Sequence, residues 1–115
     1  MSETETMEVT DETFAAEVMQ HQGVVLVDFW ASWCPPCKMM QPMVEKLSRE
    51  YNGSTRIVSL NIDRNPRAAA DHQISNVPTF VAFCGGRRIA AASGAQTEGQ
   101  LRKLIVQAET ARDAA

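Results

Sequence analysis

Val24-Val25-Leu26-Val27-Asp28-Phe29-Trp30-Ala31-Ser32-Trp33-Cys34-Pro35-Pro36-Cys37-Lys38 is the stretch whose reading decides the fold. Its first seven residues are nearly continuously apolar and rich in β-branched side chains, which predicts a central strand covered on both faces. Asp28 is the one charged residue in that run. Either it is a strand-end carboxylate touching water, or it is a buried acid whose pKa desolvation would raise. Two cysteines then stand three positions apart where a patterned helix opens. One helical turn brings such residues roughly 5–6 Å apart, within disulfide range. A helix N-terminus also favours thiolate over thiol through the partial positive charge of its unpaired N–H groups. A strand that delivers one cysteine to that end, with its partner a turn inside, is built for thiol–disulfide exchange.

Working outward, the chain has 115 residues, enough for one domain with its own core. Its 44% hydrophobic and 22% charged content is that of an ordinary globular protein. A net charge of −3 and no basic run beyond Arg87-Arg88 argue against a nucleic-acid binder or a polybasic membrane anchor. The opening Met1-Ser2-Glu3-Thr4-Glu5-Thr6 is acidic and polar, unlike a secretory signal, and no apolar run spans a bilayer. The expected compartment is the cytoplasm. There, three cysteines point to a catalytic or metal pair rather than a disulfide framework. A structural zinc needs four ligands, and Cys84, His21 and His72 form no second paired motif, so no metal is expected. The two histidines are assigned solvated or capping roles, and Cys84 is read as a small semi-buried strand residue.

Thr6–Val9 reads as a short edge strand. Thr10-Asp11-Glu12-Thr13 is a capping signature with Thr at the box position, predicting a helix over about 11–21 with Phe14 and Val18 inward. From Pro36, Met40, Met43, Val44, Leu47 and Tyr51 recur at helical spacing, with Pro42 expected to kink the helix and Asn52-Gly53 to stop it. Strands follow at Arg56–Asp63, Phe80–Cys84 and Arg88–Ala92, with a short helix at Arg67–His72 and a Gly85-Gly86 hairpin turn. Thr97-Glu98-Gly99-Gln100 caps a last helix whose core positions are Leu101, Leu104, Ile105 and Ala108. The ends, about 1–5 and 110–115, are expected to fray. This order, β-α-β-α-β-α-β-β-α, predicts an α/β fold: a mixed sheet of about five strands with four helices on its two faces.

Val27-Asp28-Phe29-Trp30-Ala31-Ser32-Trp33-Cys34, Cys37-Lys38-Met39, Pro42, Leu60-Asn61-Ile62-Asp63, Asn65-Pro66, Val77-Pro78-Thr79-Phe80 and Ser93-Gly94-Ala95 resemble the thioredoxin family in order and spacing, over roughly residues 8 to 108. The resemblance implies a single thioredoxin-fold domain and reversible dithiol–disulfide exchange. It makes Cys34 the exposed nucleophile, Cys37 the more buried resolving thiol, and Asp28 the group beneath Cys37 that helps move its proton. It makes Pro78 a cis-proline facing the disulfide. It places Trp30, Trp33, Val77, Pro78, Gly94 and Ala95 in an apolar groove for the substrate chain, and Trp33, Pro35, Pro36 and Lys38 in the active-site turn. Electrons would come from NADPH through a separate flavoprotein, thioredoxin reductase, with no cofactor bound to this chain; with no conspicuous exposed apolar stripe in the sequence, a monomer is expected.

Two departures from the family pattern stand out. Pro35-Pro36 replaces the commoner Gly-Pro, removing a donor near Cys34 and biasing Cys34 and Pro35 toward extended angles, so that the helix proper is expected to start at Pro36. Residues between the cysteines help set the redox potential, which keeps a thiol oxidase or isomerase open as an alternative to a reductase, and a redox-silent scaffold as a third reading. Ser59 stands where thioredoxins often carry a lysine. Without that charge Asp28 should titrate higher still.

Overall fold

A computed structural model describes residues 6–114; the expected fray at 1–5 lies outside the described residues. Strands β1 (Met7–Glu8), β2 (Val24–Trp30), β3 (Thr55–Asn61), β4 (Thr79–Cys84) and β5 (Arg87–Ser93) form one sheet in the order β1-β3-β2-β4-β5. The first three run parallel, and β4 and β5 join antiparallel, β4 on β2 and β5 on β4. Helix α1 spans Pro35–Glu50, α2 Pro66–Asp71 and α3 Glu98–Ala114, with a short π-helix at Ala15–Met19.

Both faces of β2 are buried, as its apolar run requires. Val24 and Leu26 pack with Met40, Val44 and Leu47 of α1 and Leu101 and Ile105 of α3. Val25, Val27 and Phe29 pack on the opposite side with Val9, Phe14, Val18 and Ala68. That alternation puts Asp28 on the same face as Leu26, the face that α1 covers.

Three sequence expectations are corrected. The helix expected over 11–21 is only the π-helix, closed by Gln20 N–H donating to the Ala15 carbonyl at 2.8 Å. The capping signature is nonetheless real: the Thr10 amide donates to Thr13 Oγ1 at 2.8 Å and the Thr13 amide to Thr10 Oγ1 at 3.2 Å. The last helix does not fray at 110 but continues to Ala114, held by buried Ala108 and by Thr55 Oγ1 donating to Glu109 Oε2 at 3.1 Å. His72 takes a capping role, as the C-cap of α2, and its half-buried ring lies 5.1 Å from both the Phe14 and Phe83 ring centroids. Helix α1 starts at Pro35, not Pro36, because the fixed φ of proline suits the first helical position and outweighs the bias that the following proline imposes. Pro42 is accommodated, and α1 runs past it to Glu50.

The hairpin turn uses Gly85 and Gly86 at φ +58° and +79°, with a bulge between Ala82 and Phe83. A Cβ on Gly86 would stand 2.9 Å from the Met19 carbonyl oxygen, so the turn lies against the end of the π-helix with no room for a side chain.

Candidate active site

The C-terminal end of β2 carries the chain through Ala31-Ser32-Trp33 into α1, and Cys34 is the N-cap residue, extended at φ −99° and ψ 104°. Cys37, one turn in, is bonded to it as a disulfide with Cα atoms 5.3 Å apart. The N-cap role normally falls to an oxygen side chain; here Cys34 Sγ takes it, accepting from the Cys37 amide at 3.2 Å. Pro35 and Pro36 occupy the first two helical positions and have no N–H, so Cys37 supplies the first amide of the helix. A thiolate on Cys34 would therefore rest on one backbone donor and the end of the helix dipole.

A measurable consequence follows. Pro36→Ala restores an amide at the second helical position, from which N-cap groups also accept. Hydrogen bonds to charged groups contribute roughly 1.5–3 kcal/mol net of solvent competition, so the Cys34 thiol in the reduced protein should titrate lower than in wild type. Ultraviolet thiolate absorbance against pH reads this directly, and an unchanged or higher midpoint would contradict the single-donor account.

Cys34 was expected to be exposed, and that is corrected for the disulfide state: it is 3% exposed, against 1% for Cys37. The bond draws its sulfur toward Cys37, and Ala31, Trp30, Ile62 and Val77 pack around the pair. Pro35, Pro36, Lys38 and Met39 face solvent, and Trp33 is 63% exposed with its Nε1 donating to Asp63 Oδ2 at 2.8 Å. The Val77–Pro78 peptide is cis. The Pro78 carbonyl accepts from Gly94 N–H at 2.7 Å, and Gly94, at φ +86°, makes the turn that allows it. Ala95 is exposed beside it, and the Gln96 amide points at Met40 Sδ of α1 at 3.3 Å. Helix α1, the Pro78 loop and the Gly94 loop are thus tied together at the rim of the disulfide.

Asp28 is buried, at 4% exposure. Burial first, and the Glu8 carboxylate second, push its pKa up to about 7 from an ordinary 3.8. It opens on a pocket of about 130 Å³ shared with Gln41, Val44 and Glu45, the turns of α1 that follow Cys37. Trp30 lies between the two features, packing on the disulfide and facing this pocket. The larger cavity, about 400 Å³ between Met7, Asn52 and Arg56, sits at the opposite end of β3 and is no part of the redox site.

Sequence reasoning did not single out Ile62 as a disulfide contact or Asp63 as the anchor of Trp33. Both lie in the loop after β3, and only strand pairing brings that loop beside Trp30: the Ile62 amide donates to the Trp30 carbonyl at 2.9 Å. Cys84 is buried at the end of β4 and is the one cysteine outside the pair.

Two cysteines bridged at the start of a helix, with a buried carboxyl group on the strand that feeds it, define a thiol–disulfide exchange protein. The Thioredoxin family model matches residues 5–107. The chain is similar to Thioredoxin 1 of Nostoc sp., at 42% identity over 98 residues covering 85% of this chain and 92% of that protein. It is similar to Thioredoxin of Synechocystis sp. (42% identity; 87% and 94% covered) and to Thioredoxin of Buchnera aphidicola (38%; 86% and 92%). The chain belongs to the thioredoxin family, has its fold, and is a protein-disulfide oxidoreductase whose redox group is the Cys34–Cys37 disulfide. Proteins of this family work without a bound cofactor, between a reductase and disulfide-bearing substrates. Among the described residues, no helix is long and apolar enough to cross a membrane.

Proposed function

We propose that this protein reduces disulfides of cytoplasmic proteins as a monomeric, single-domain carrier recharged by NADPH through thioredoxin reductase. The observation that carries the reading is the disulfide closed across the first turn of α1, with the sulfur of Cys34 on the helix's first amide. Cys34, as thiolate, attacks one sulfur of the substrate disulfide; a Cys34–substrate bond forms, and the first substrate thiolate leaves and takes a proton. Cys37 gives its proton to Asp28, attacks Cys34 Sγ, and expels the second substrate thiolate. Two electrons pass to the substrate, and the protein is left as the disulfide. Trp33, Val77, Pro78, Gly94 and Ala95 receive the substrate chain, with Trp30 supporting the pair from inside. Pro35, Pro36 and Lys38 shape the turn.

The test is the redox potential of the pair, equilibrated against glutathione and counted by mass after alkylation. The expected value is near the roughly −270 mV typical of thioredoxin. A value tens of millivolts above the glutathione pool would replace reductase by oxidase or isomerase, since about 30 mV is a tenfold change in equilibrium.

A further inference from the structure

Register places Glu8 opposite Ser59, and Ser59 opposite Asp28, on three adjacent strands. Directly paired residues share a face, and strands lie about 4.8 Å apart, so the two carboxylates stand roughly 10 Å from one another with only a serine between them. The small Ser59 side chain leaves the pocket of about 130 Å³ open above Asp28. Three atoms of its lining residues, Asp28 Oδ1, Trp30 Nε1 and Thr6 Oγ1, are buried with no hydrogen-bond partner in the protein. Leaving such groups unpaired costs about 1–3 kcal/mol each, and natural interiors rarely do so. A polar space of this size takes on the order of four waters at roughly 30 Å³ each, enough to join those atoms.

The charged groups facing the pocket are Asp28 from β2, Glu8 from β1 and Glu45 from α1; β3 contributes Ser59, and β4 sets Phe80 opposite Asp28. No cation lines it. Glu8 is exposed at the outer end, so the row runs from the buried carboxyl to solvent.

We propose that this pocket is the route by which the proton taken up by Asp28 leaves the protein, and that Glu8 is a positioning residue at its mouth. The proposal rests on the reading of Asp28 as proton acceptor for Cys37. In the resolving step the proton moves from Cys37 Sγ to Asp28, then through pocket water toward Glu8 and bulk solvent. When the disulfide is reduced again by the dithiol of the reductase, the same path returns it. Electrons move only between sulfurs, and Glu8 supplies a fixed negative charge that holds the proton on the Asp28 side until the exchange is complete.

The test uses the full chain. The side-chain carboxyl carbon of Asp28 is titrated by NMR in the disulfide form of wild type, Glu8→Gln, and Glu12→Gln as a carboxylate control outside the pocket. The pH profile of the resolving step is measured on a trapped mixed disulfide in the same proteins. Removing a unit charge about 10 Å away across a wet pocket should lower the Asp28 midpoint by about half a pH unit in Glu8→Gln, with the kinetic midpoint following. Glu12→Gln should superimpose on wild type. Ser59→Val, which fills the pocket while keeping Glu8, should instead raise both midpoints by removing water. A Glu8→Gln titration that coincides with wild type overturns the proposal alone. A titration that moves while the kinetic midpoint stays overturns the role of Asp28, and the proposal with it.

Discussion

The Cys37→Ser protein is expected to stall as a covalent adduct with its first substrate. Cys34 keeps its place at the helix N-cap, so attack on a disulfide still forms the mixed disulfide. The serine hydroxyl that replaces the resolving thiol cannot complete the exchange. Turnover of a disulfide substrate should fall on the order of a thousandfold or more, while one substrate equivalent remains bound and is released by added dithiol. Cys34→Ser should be equally inactive but form no adduct, because it removes the sulfur at the helix N-cap and leaves only the thiol one turn inside. Mass spectrometry of intact protein after exposure to a small disulfide separates the two. An adduct on Cys34→Ser and none on Cys37→Ser would reverse the assignment of nucleophile and resolving group. The same adduct, made with cell protein in place of a small disulfide, would report which substrates reach Cys34.

The cysteine pair at the start of α1 was legible in the sequence because the features carrying it are local. The β-branched run of β2, the Cys-x-x-Cys spacing and the apolar period of α1 each act over a few residues, and each reads directly from the order of side chains. The order of all nine elements followed for the same reason. What did not read through was set by residues distant in sequence. For His72 the sequence offers a solvated or a capping role, and nothing near it foretells that Phe14 and Phe83 also meet its ring. The same meeting with desolvation, and then Arg88, holds its pKa below the usual histidine value. Asp63 was invisible as the partner of Trp33, thirty residues away. The start of α1 was misplaced by one residue because two proline effects oppose each other at Pro35: its own ring favours the first helical position, and the next ring disfavours it. The local rules conflict there, and the structure decides. Glu8 was unremarkable until the sheet order put β1 beside β3 and β3 beside β2.

Asp28→Asn should make the protein more stable and less able to finish its reaction. The carboxyl ionises near 3.8 when the chain is unfolded and near 7 when it is folded. Between those values the native state binds one more proton than the unfolded state, so stability falls as pH rises through the window, and the loss is complete above about 7. The difference corresponds to roughly 4 kcal/mol, as an order of magnitude for one buried carboxylate. An amide of the same shape never ionises and escapes this loss. Chemical denaturation should therefore show the variant a few kcal/mol more stable than wild type at pH 8, with the two curves converging toward pH 4. Equal stability at pH 8 would mean that Asp28 is already well solvated in the native protein. The kinetic counterpart is a slower resolving step, since an amide cannot accept the Cys37 proton, and mixed disulfide should accumulate during turnover. A gain in stability paired with a loss in rate is the signature of a group kept for chemistry rather than for folding. No lysine stands at position 59 to ease the charge, so in this chain that destabilisation is borne by burial itself and is sharpened by the neighbouring carboxylate of Glu8.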